Sequence, residues 1–332
     1  MSASADPRAE LAQRIMGFLV SQAIYTAASL GIPDLLAARP RPAGELAQAA
    51  GADPDALYRL LRMLAGHGIF VEQADGSFAN SEQSELLRDE PGSFRDFALV
   101  FGEEFYPAFG SLADAVESGE PAFDAVFGTD YEGYLTANPE ARTRFNRFMA
   151  GGKETLADLL AADTWQGGET VVDVGGGNGA LLVALLQRRA GLRAIVFDLP
   201  AVAAEAEEQI RAAGLSDRCE AVGGSFFESV PAGGDVYLLS SILHGWDDER
   251  ATEILRVVRR AIPSRGRLLV VDGVVAPPNE PGEKLMDLLM LSLGGRERTE
   301  AEWRALLSQG GFELTGLRPG HFRSILDAAP RG

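Results

Sequence analysis

The sequence predicts a two-part α/β protein: a mostly helical first half carrying a winged-helix pattern, then a doubly wound, mainly parallel sheet with an antiparallel edge strand. Three observations lead there. Before residue 165 apolar residues recur at helical spacing, as in Leu11, Ile15, Phe18 and Leu19, and again in Leu57, Leu60, Leu61 and Leu64. After it, short β-rich runs alternate with helical stretches, the pattern of βαβ units. The first of those runs ends in Gly175-Gly-Gly-Asn-Gly179, a turn that lets a backbone approach a ligand closely. Two domains are expected, 1–165 and 166–332.

The 332 residues suffice for two ordinary domains, and 46% hydrophobic with 23% charged residues is a soluble globular composition. No apolar run approaches the roughly 20 residues that span a bilayer. The start, Met1-Ser-Ala-Ser-Ala, lacks the basic and apolar stretches of a secretory signal, and Cys219 is the single cysteine. A cytoplasmic location is expected. A net charge of −18 works against phosphate backbones and anionic membranes, so neither nucleic acid nor membrane is an expected partner. The three histidines, His67, His244 and His321, are not at metal-ligand spacing, and no metal is expected.

In order along the chain, residues 42–51 form a short helix closed by Gly51, and Asp53-Pro54 caps and starts a second that ends at Gly66-His-Gly68. Ile69-Phe-Val-Glu and Gly76-Ser-Phe-Ala make a two-stranded wing. Such a module commonly binds DNA. Here Arg59 and Arg62 are offset by Asp53 and Asp55, so a dimerisation or scaffold role is expected instead. Residues 91–165 are helical, with aromatic residues at Phe94, Phe97, Phe101, Phe105, Tyr106 and Phe109 that serve mostly as core. Phe101-Gly-Glu-Glu-Phe-Tyr106 also suits the wall of a pocket for a flat ligand. In the second half strands are expected near 170–174, 193–198, 218–222, 234–240, 267–275, 312–318 and 322–328. Helices are expected near 178–189, 201–213, 248–262, 283–293 and 299–310.

Ligands of open α/β sheets bind beyond the carboxyl ends of the strands. The glycine turn after Asp173 lacks the spacing that seats a pyrophosphate and suits a ribose and an amino acid. Asp198, ending the second strand in Phe197-Asp-Leu-Pro200, can accept from both ribose hydroxyls or cap the next helix. After the third strand, Gly224 and Ser225 allow close approach of an adenine, and Phe226 or Phe227 can stack on it. His244 lies just past the fourth strand, where a neutral imidazole can take a proton. Asp272 and Glu297 are its candidate carboxylate partners, although Glu297 can equally be a loop charge beside its arginines.

With these residues in place, the chain resembles small-molecule O-methyltransferases of the caffeic-acid/hydroxyindole type over nearly its full length. Phe145-Asn-Arg-Phe-Met149, Asp173-Val-Gly-Gly-Gly177, Phe197-Asp-Leu-Pro200, Leu243-His-Gly-Trp-Asp247 and Gly294-Gly-Arg-Glu-Arg-Thr299 stand in family order. The resemblance implies a winged-helix dimerisation domain, a homodimer, and a Rossmann-like class I methyltransferase domain using S-adenosyl-L-methionine, with S-adenosyl-L-homocysteine as product. By position it makes His244 the general base flanked by Asp272 and Glu297. Asp173, Gly175, Gly177, Asp198, Leu199, Gly224, Ser225, Phe226, Phe227, Ser240 and Trp246 become cofactor positions. Phe105, Phe145, Met149 and Met290 face the acceptor. Ser225 stands where many relatives have an Asp that bonds the adenine amino group, Ser240 replaces a lysine, Gly245 an Asp, and Asp272 a Glu. Residues 91–128 are most similar to bacterial phenazine methyltransferases. The function implied is O-methylation of a planar fused aromatic, a phenazine first and an aromatic polyketide second. A phenazine-type N-methyltransferase and a winged-helix ligand-sensing regulator are the rivals.

Overall fold

The computed structural model describes residues 6–278, 283–320 and 323–332; His321 and the first residue of the strand expected at 322–328 lie outside them. The boundary at residue 165 marks a change of sequence pattern. By compactness the chain forms one unit from Met1–Pro107 and Leu135–Gly151, and a second from Ala108–Tyr134 and Gly152–Gly332.

In the first unit, α1 (Pro7–Ser29) starts at Asp6, whose carboxylate accepts from Arg8 N. Its exposed face carries Leu11, Ile15, Met16, Phe18 and Leu19, the stripe visible in the sequence. β1 (Arg41–Pro42), α2 (Ala43–Ala50), α3 (Pro54–Gly66), β2 (Phe70–Glu72) and β3 (Ser77–Asn80) follow. Asp53 caps α3 by accepting from Ala56 N at 2.9 Å. Leu57, Leu61 and Leu64 pack with Leu46, Phe70 and Phe78, so the helix, helix and wing share one core. The sheet order β1-β3-β2 adds a strand too short for any periodicity to announce.

α4 (Arg95–Val100) runs into a π-helical turn over Phe101–Phe105. Gly102 permits it to press on α1, because a Cβ there would lie 2.2 Å from the Tyr25 ring. Glu104, fully buried, is bound by Arg144 of α5 (Pro139–Ala150) at 2.9 Å. Arg147 holds Asp96 at 2.9 Å, so α5 meets both buried carboxylates with guanidinium groups. Of the aromatic series, Phe105 is core, whereas Phe94, Phe97 and Tyr106 are exposed; the core role expected of the series holds only in part.

The second unit is built on a seven-stranded sheet. After α6 (Lys153–Ala161) come β4 (Thr170–Val174), α7 (Ala180–Arg188), β5 (Arg193–Asp198), α8 (Pro200–Ala212), β6 (Cys219–Gly223) and β7 (Val236–Ser240). α9 (Asp248–Ala261), β8 (Arg267–Asp272), α10 (Glu283–Leu293), α11 (Glu300–Gln309), β9 (Phe312–Arg318) and β10 (Ser324–Pro330) complete it. The order is β6-β5-β4-β7-β8-β10-β9. The first five strands are parallel, and β10 runs antiparallel between β8 and β9, one place in from the edge. One face is sealed by Leu160, Leu181, Leu182 and Leu185, the other by Ile254, Leu255, Trp303 and Leu306. Strands covered on both faces read as unbroken apolar runs, which is why the sequence announces them. The winding reverses between β4 and β7, opening a crevice past their carboxyl ends. Among the described residues no helix is long and apolar enough to cross a membrane.

Candidate active site

The turn after β4 is shaped by glycines that have no substitute. Gly175 (φ 75°) would drive a Cβ to 2.4 Å from Ile242 Cδ1, and Gly177 takes φ 60°. Gly175 N donates to Phe197 O at 2.8 Å, fastening the turn to β5. Asp198 then draws the pieces together. Its Oδ2 accepts from Gly177 N at 2.8 Å, its Oδ1 from Leu199 N at 2.7 Å, and its carbonyl from Gly224 N at 2.9 Å. It does not cap α8, whose N-cap is Leu199 with no side-chain bond. Burial raises the Asp198 carboxyl above its ordinary range, and the two backbone donors pull it back.

Beyond β6, Gly224 lies where a Cβ would meet the Phe197 ring at 2.7 Å. Ser225 Oγ accepts from Phe227 N at 3.3 Å and so shapes the turn. The two phenylalanines differ. Phe227 carries the Arg250 guanidinium over its ring at 3.8 Å, while Phe226 reaches to 3.7 Å from the Gly175 Cβ position. Phe226 is thus the ring that lies at the glycine turn. Trp246 packs edge-on to both, with centroids 6.2 and 4.9 Å away.

Just past β7 stands Ser241, whose φ of 62° is the one positive value outside glycine among the described residues. The short 3₁₀ turn Leu243–Gly245 follows and presents His244, 8% exposed. His244 Nδ1 lies 2.7 Å from Glu297 Oε1 and 4.0 Å from Asp272 Oδ1. Glu297 is therefore the bonded partner and not a loop charge. Asp272 supports the loop from behind, its Oδ2 accepting from Leu243 N at 3.2 Å, and burial pushes its carboxyl up to about 6. Gly295 is compelled by the same packing, since a Cβ would fall 2.2 Å from His244 O.

Arg298 braces the histidine turn, a contact that the sequence does not reveal. Fully buried, it donates to Leu243 O at 3.0 Å and Trp246 O at 2.9 Å, and its Nε holds Asp248 at 2.9 Å. It thereby fixes both ends of the histidine turn. Lys153, half-buried at the start of α6, lies in the field of Asp173. Neither carries a sequence signal, because an arginine in a polar loop and a lysine at a helix start both read as surface charge.

Several buried polar atoms at this end of the sheet have no hydrogen-bond partner: Asp173 Oδ1, Ser240 Oγ, Asp272 Oδ1, Glu297 Oε2 and Arg323 Nη1. Burial pushes the Asp173 carboxyl up to about 7, Lys153 opposing and Asp198 adding to that rise. Orphaned groups beside a close-approach glycine turn, a carboxylate ending β5 and an aromatic ring at the turn suit a nucleoside joined to a charged amino acid. Met290, also buried, accepts through its carbonyl from Gly295 N at 2.9 Å. Phe105, Phe145 and Met149 belong to the first unit, where Phe105 is buried and Phe145 and Met149 are half-buried.

Known proteins agree with this geometry. An O-methyltransferase domain matches residues 109–313 and an O-methyltransferase dimerisation domain residues 12–89. Phenazine O-methyltransferase PhzM of Lysobacter antibioticus is 44% identical over 325 residues, 96% of this chain and 95% of its own. Phenazine-1-carboxylate N-methyltransferase of Pseudomonas aeruginosa is 34% identical, covering 92% and 91%. The structure of an O-methyltransferase from neocarzinostatin biosynthesis, in complex with S-adenosylmethionine and 2-hydroxy-5-methyl naphthoic acid, superposes with a TM-score of 0.84. It is 36% identical and covers 93% of this chain and 95% of its own. The chain belongs to the O-methyltransferase family and is an S-adenosyl-L-methionine-dependent enzyme built from a helical dimerisation domain and a class I methyltransferase fold.

Proposed function

We propose that the enzyme methylates a hydroxyl group, phenolic or N-hydroxy, on a planar fused aromatic metabolite, a phenazine in the first instance, with His244 as general base. The observation that carries this is the buried His244–Glu297 bond of 2.7 Å. An ionised carboxylate only accepts, so Nδ1 carries the hydrogen and Nε2 keeps a lone pair for the acceptor hydroxyl. As the proton arrives, Glu297 steadies the imidazolium, while Asp272 and Arg298 keep the turn from moving. Bound S-adenosylmethionine supplies a methyl group activated by its sulfonium. Asp198 would hold the ribose, Gly175, Gly177 and Leu199 the backbone side of the nucleoside, and Gly224, Ser225 and Phe226 the adenine. Ser240, Phe227 and Trp246 complete that wall. Phe105, Phe145, Met149 and Met290 are the proposed acceptor contacts. Residues 166–332 form the proposed catalytic portion, and the exposed apolar face of α1 the surface through which two copies associate.

N-methylation has support from the Pseudomonas relative. A ring nitrogen has no proton to give up, so it makes no use of a buried base. The test is product analysis with methyl-labelled cofactor on hydroxyphenazines, phenazine carboxylates and hydroxynaphthoates. An O-methyl product supports the proposal, and exclusive N-methylation overturns it.

A further inference from the structure

We propose that Arg323 is a positioning residue for the reaction: its guanidinium, 3.6 Å from Asp272 Oδ1, keeps the second carboxylate beside His244 charged and in place. The role rests on His244 acting as the base. Sheet topology brings the two groups together. β10 is inserted between β8 and β9, and its first residue, Ser324, stands opposite Asp272, the last residue of β8. Arg323, immediately before Ser324, therefore meets the carboxyl end of β8 behind the histidine turn. Asp272 is fully buried. Its Oδ2 accepts from Leu243 N at 3.2 Å, while its Oδ1 makes no hydrogen bond among the described residues and lies 4.0 Å from His244 Nδ1. Arg323 Nη1 is likewise a buried atom without a hydrogen bond, so the two orphaned atoms face each other.

Two buried carboxylates against one imidazole are costly unless something offsets their charge. The charged groups acting on Asp272 are His244 from the histidine turn, Glu297 and Arg298 from the loop after α10, Lys153 from α6, and Arg323 from the start of β10. Arg298 is occupied by Leu243 O, Trp246 O and Asp248. Of the three Lys and Arg side chains, Arg323 alone forms an ion pair with Asp272 within 4.0 Å among the described residues. Burial drives the Asp272 carboxyl up to about 6, with His244 and Arg323 opposing that rise and Glu297 adding to it. With the pair intact Asp272 is an anion at neutral pH, and its charge favours the imidazolium formed as the acceptor hydroxyl gives up its proton. Without Arg323 the carboxyl takes up a proton at higher pH, and His244 loses that support.

The test is the single-turnover rate of Arg323→Met relative to the parent from pH 6 to 9, a ratio in which ionisation of the acceptor cancels. Removing a cation at this distance from a partly exposed pair raises a carboxyl by about one pH unit. The ratio should then fall about 3-fold at pH 6.5 and return to within about 1.5-fold of the parent at pH 9. Arg323→Lys should keep the parent profile, and Arg323→Met should change nothing further in an Asp272→Asn background. Urea denaturation of the cofactor-free protein reads the pair without the chemistry. An unfolded carboxyl titrates near 3.8 and the folded Asp272 near 6, so the parent loses stability between those values, whereas Arg323→Met should go on losing it to about pH 7. The gap between their urea midpoints should therefore widen from pH 5 to pH 8, and stay constant with pH in the Asp272→Asn background. Binding of S-adenosylhomocysteine reports the fold; if Arg323→Met loses it, Arg323→Gln is read instead. A rate ratio flat with pH, a urea gap that does not widen, or an equal effect in the Asp272→Asn background overturns the proposal. Failure of the base itself is distinguishable: His244→Ala would then transfer at the full rate while the urea gap still widened.

Discussion

Glu297→Gln perturbs the bond on which the chemistry turns. The carboxylate accepts from His244 Nδ1 at 2.7 Å with the histidine 8% and the glutamate 3% exposed, so water screens the contact little. Hydrogen bonds to charged groups contribute about 1.5–3 kcal/mol, roughly twice their neutral counterparts. Glutamine retains shape and a carbonyl acceptor but loses the charge that steadies the imidazolium. The loss in the transition state is then about half of that, about 0.75–1.5 kcal/mol, a fall in kcat of about 4- to 13-fold. Binding of S-adenosylhomocysteine should stay within about 2-fold. Glu297→Ala should fall further, since it leaves a buried N–H unpaired at about 1–3 kcal/mol. Asp272→Asn, starting at 4.0 Å from Nδ1, should cost less than about 10-fold in kcat. The assay is single-turnover methyl transfer at saturating cofactor and acceptor. A full rate in Glu297→Gln, or a larger loss in Asp272→Asn, would refute the partner assignment.

Other consequences follow from the same geometry. Asp173 in the folded chain keeps its proton up to about pH 7, whereas an ordinary carboxyl loses it near 3.8. Below pH 4 both states are protonated and the group is neutral to stability; as pH rises from 4 to 7 it increasingly opposes folding, and above 7 the full penalty remains. Cofactor-free Asp173→Asn should therefore be more stable than the parent at pH 8, by at most about 4 kcal/mol, and equal to it at pH 4, by urea denaturation at the two pH values. Gly295→Ala should lower both melting temperature and kcat, because its methyl would lie 2.2 Å from His244 O. Ile15→Glu and Phe18→Glu, on the exposed face of α1, should shift sedimentation from dimer toward monomer; an unchanged dimer would place the interface elsewhere. Phe145→Ala and Met149→Ala should raise the acceptor KM several-fold with cofactor affinity unchanged, and an unaltered KM would remove them from the acceptor site.

The fold was readable where burial writes itself as pattern. Strands β4, β5, β7 and β8 carry apolar runs in their middles because helices cover both faces, and Asp53 and Gly51 mark α3 and α2 by local capping. The insertion of β10 between β8 and β9 leaves no such trace, since either order of the final pair satisfies the same alternation. In the site, the place of Asp198 at the end of β5 was legible, because a strand end limits what a side chain can touch. The choice between Asp272 and Glu297 was not, because it depends on how the Gly294–Thr299 loop folds back against the histidine turn. Arg298 was hidden for the same reason: its bonds to Leu243 O, Trp246 O and Asp248 reach some 50 residues back in the chain. The π turn at Phe101–Phe105 depends on the packing of Gly102 against Tyr25, which spacing cannot convey.

The central claim is that His244 removes a proton from a hydroxyl acceptor, and replacing it with alanine tests that most directly. Single-turnover rates of His244→Ala on a hydroxyphenazine and on an acceptor methylated at a ring nitrogen should diverge. The first should fall about 10²- to 10⁴-fold, the usual worth of a positioned base, and the second by less than about 10-fold. Undiminished O-methylation by His244→Ala across pH 6 to 9 would contradict the account and leave alignment alone as the source of catalysis.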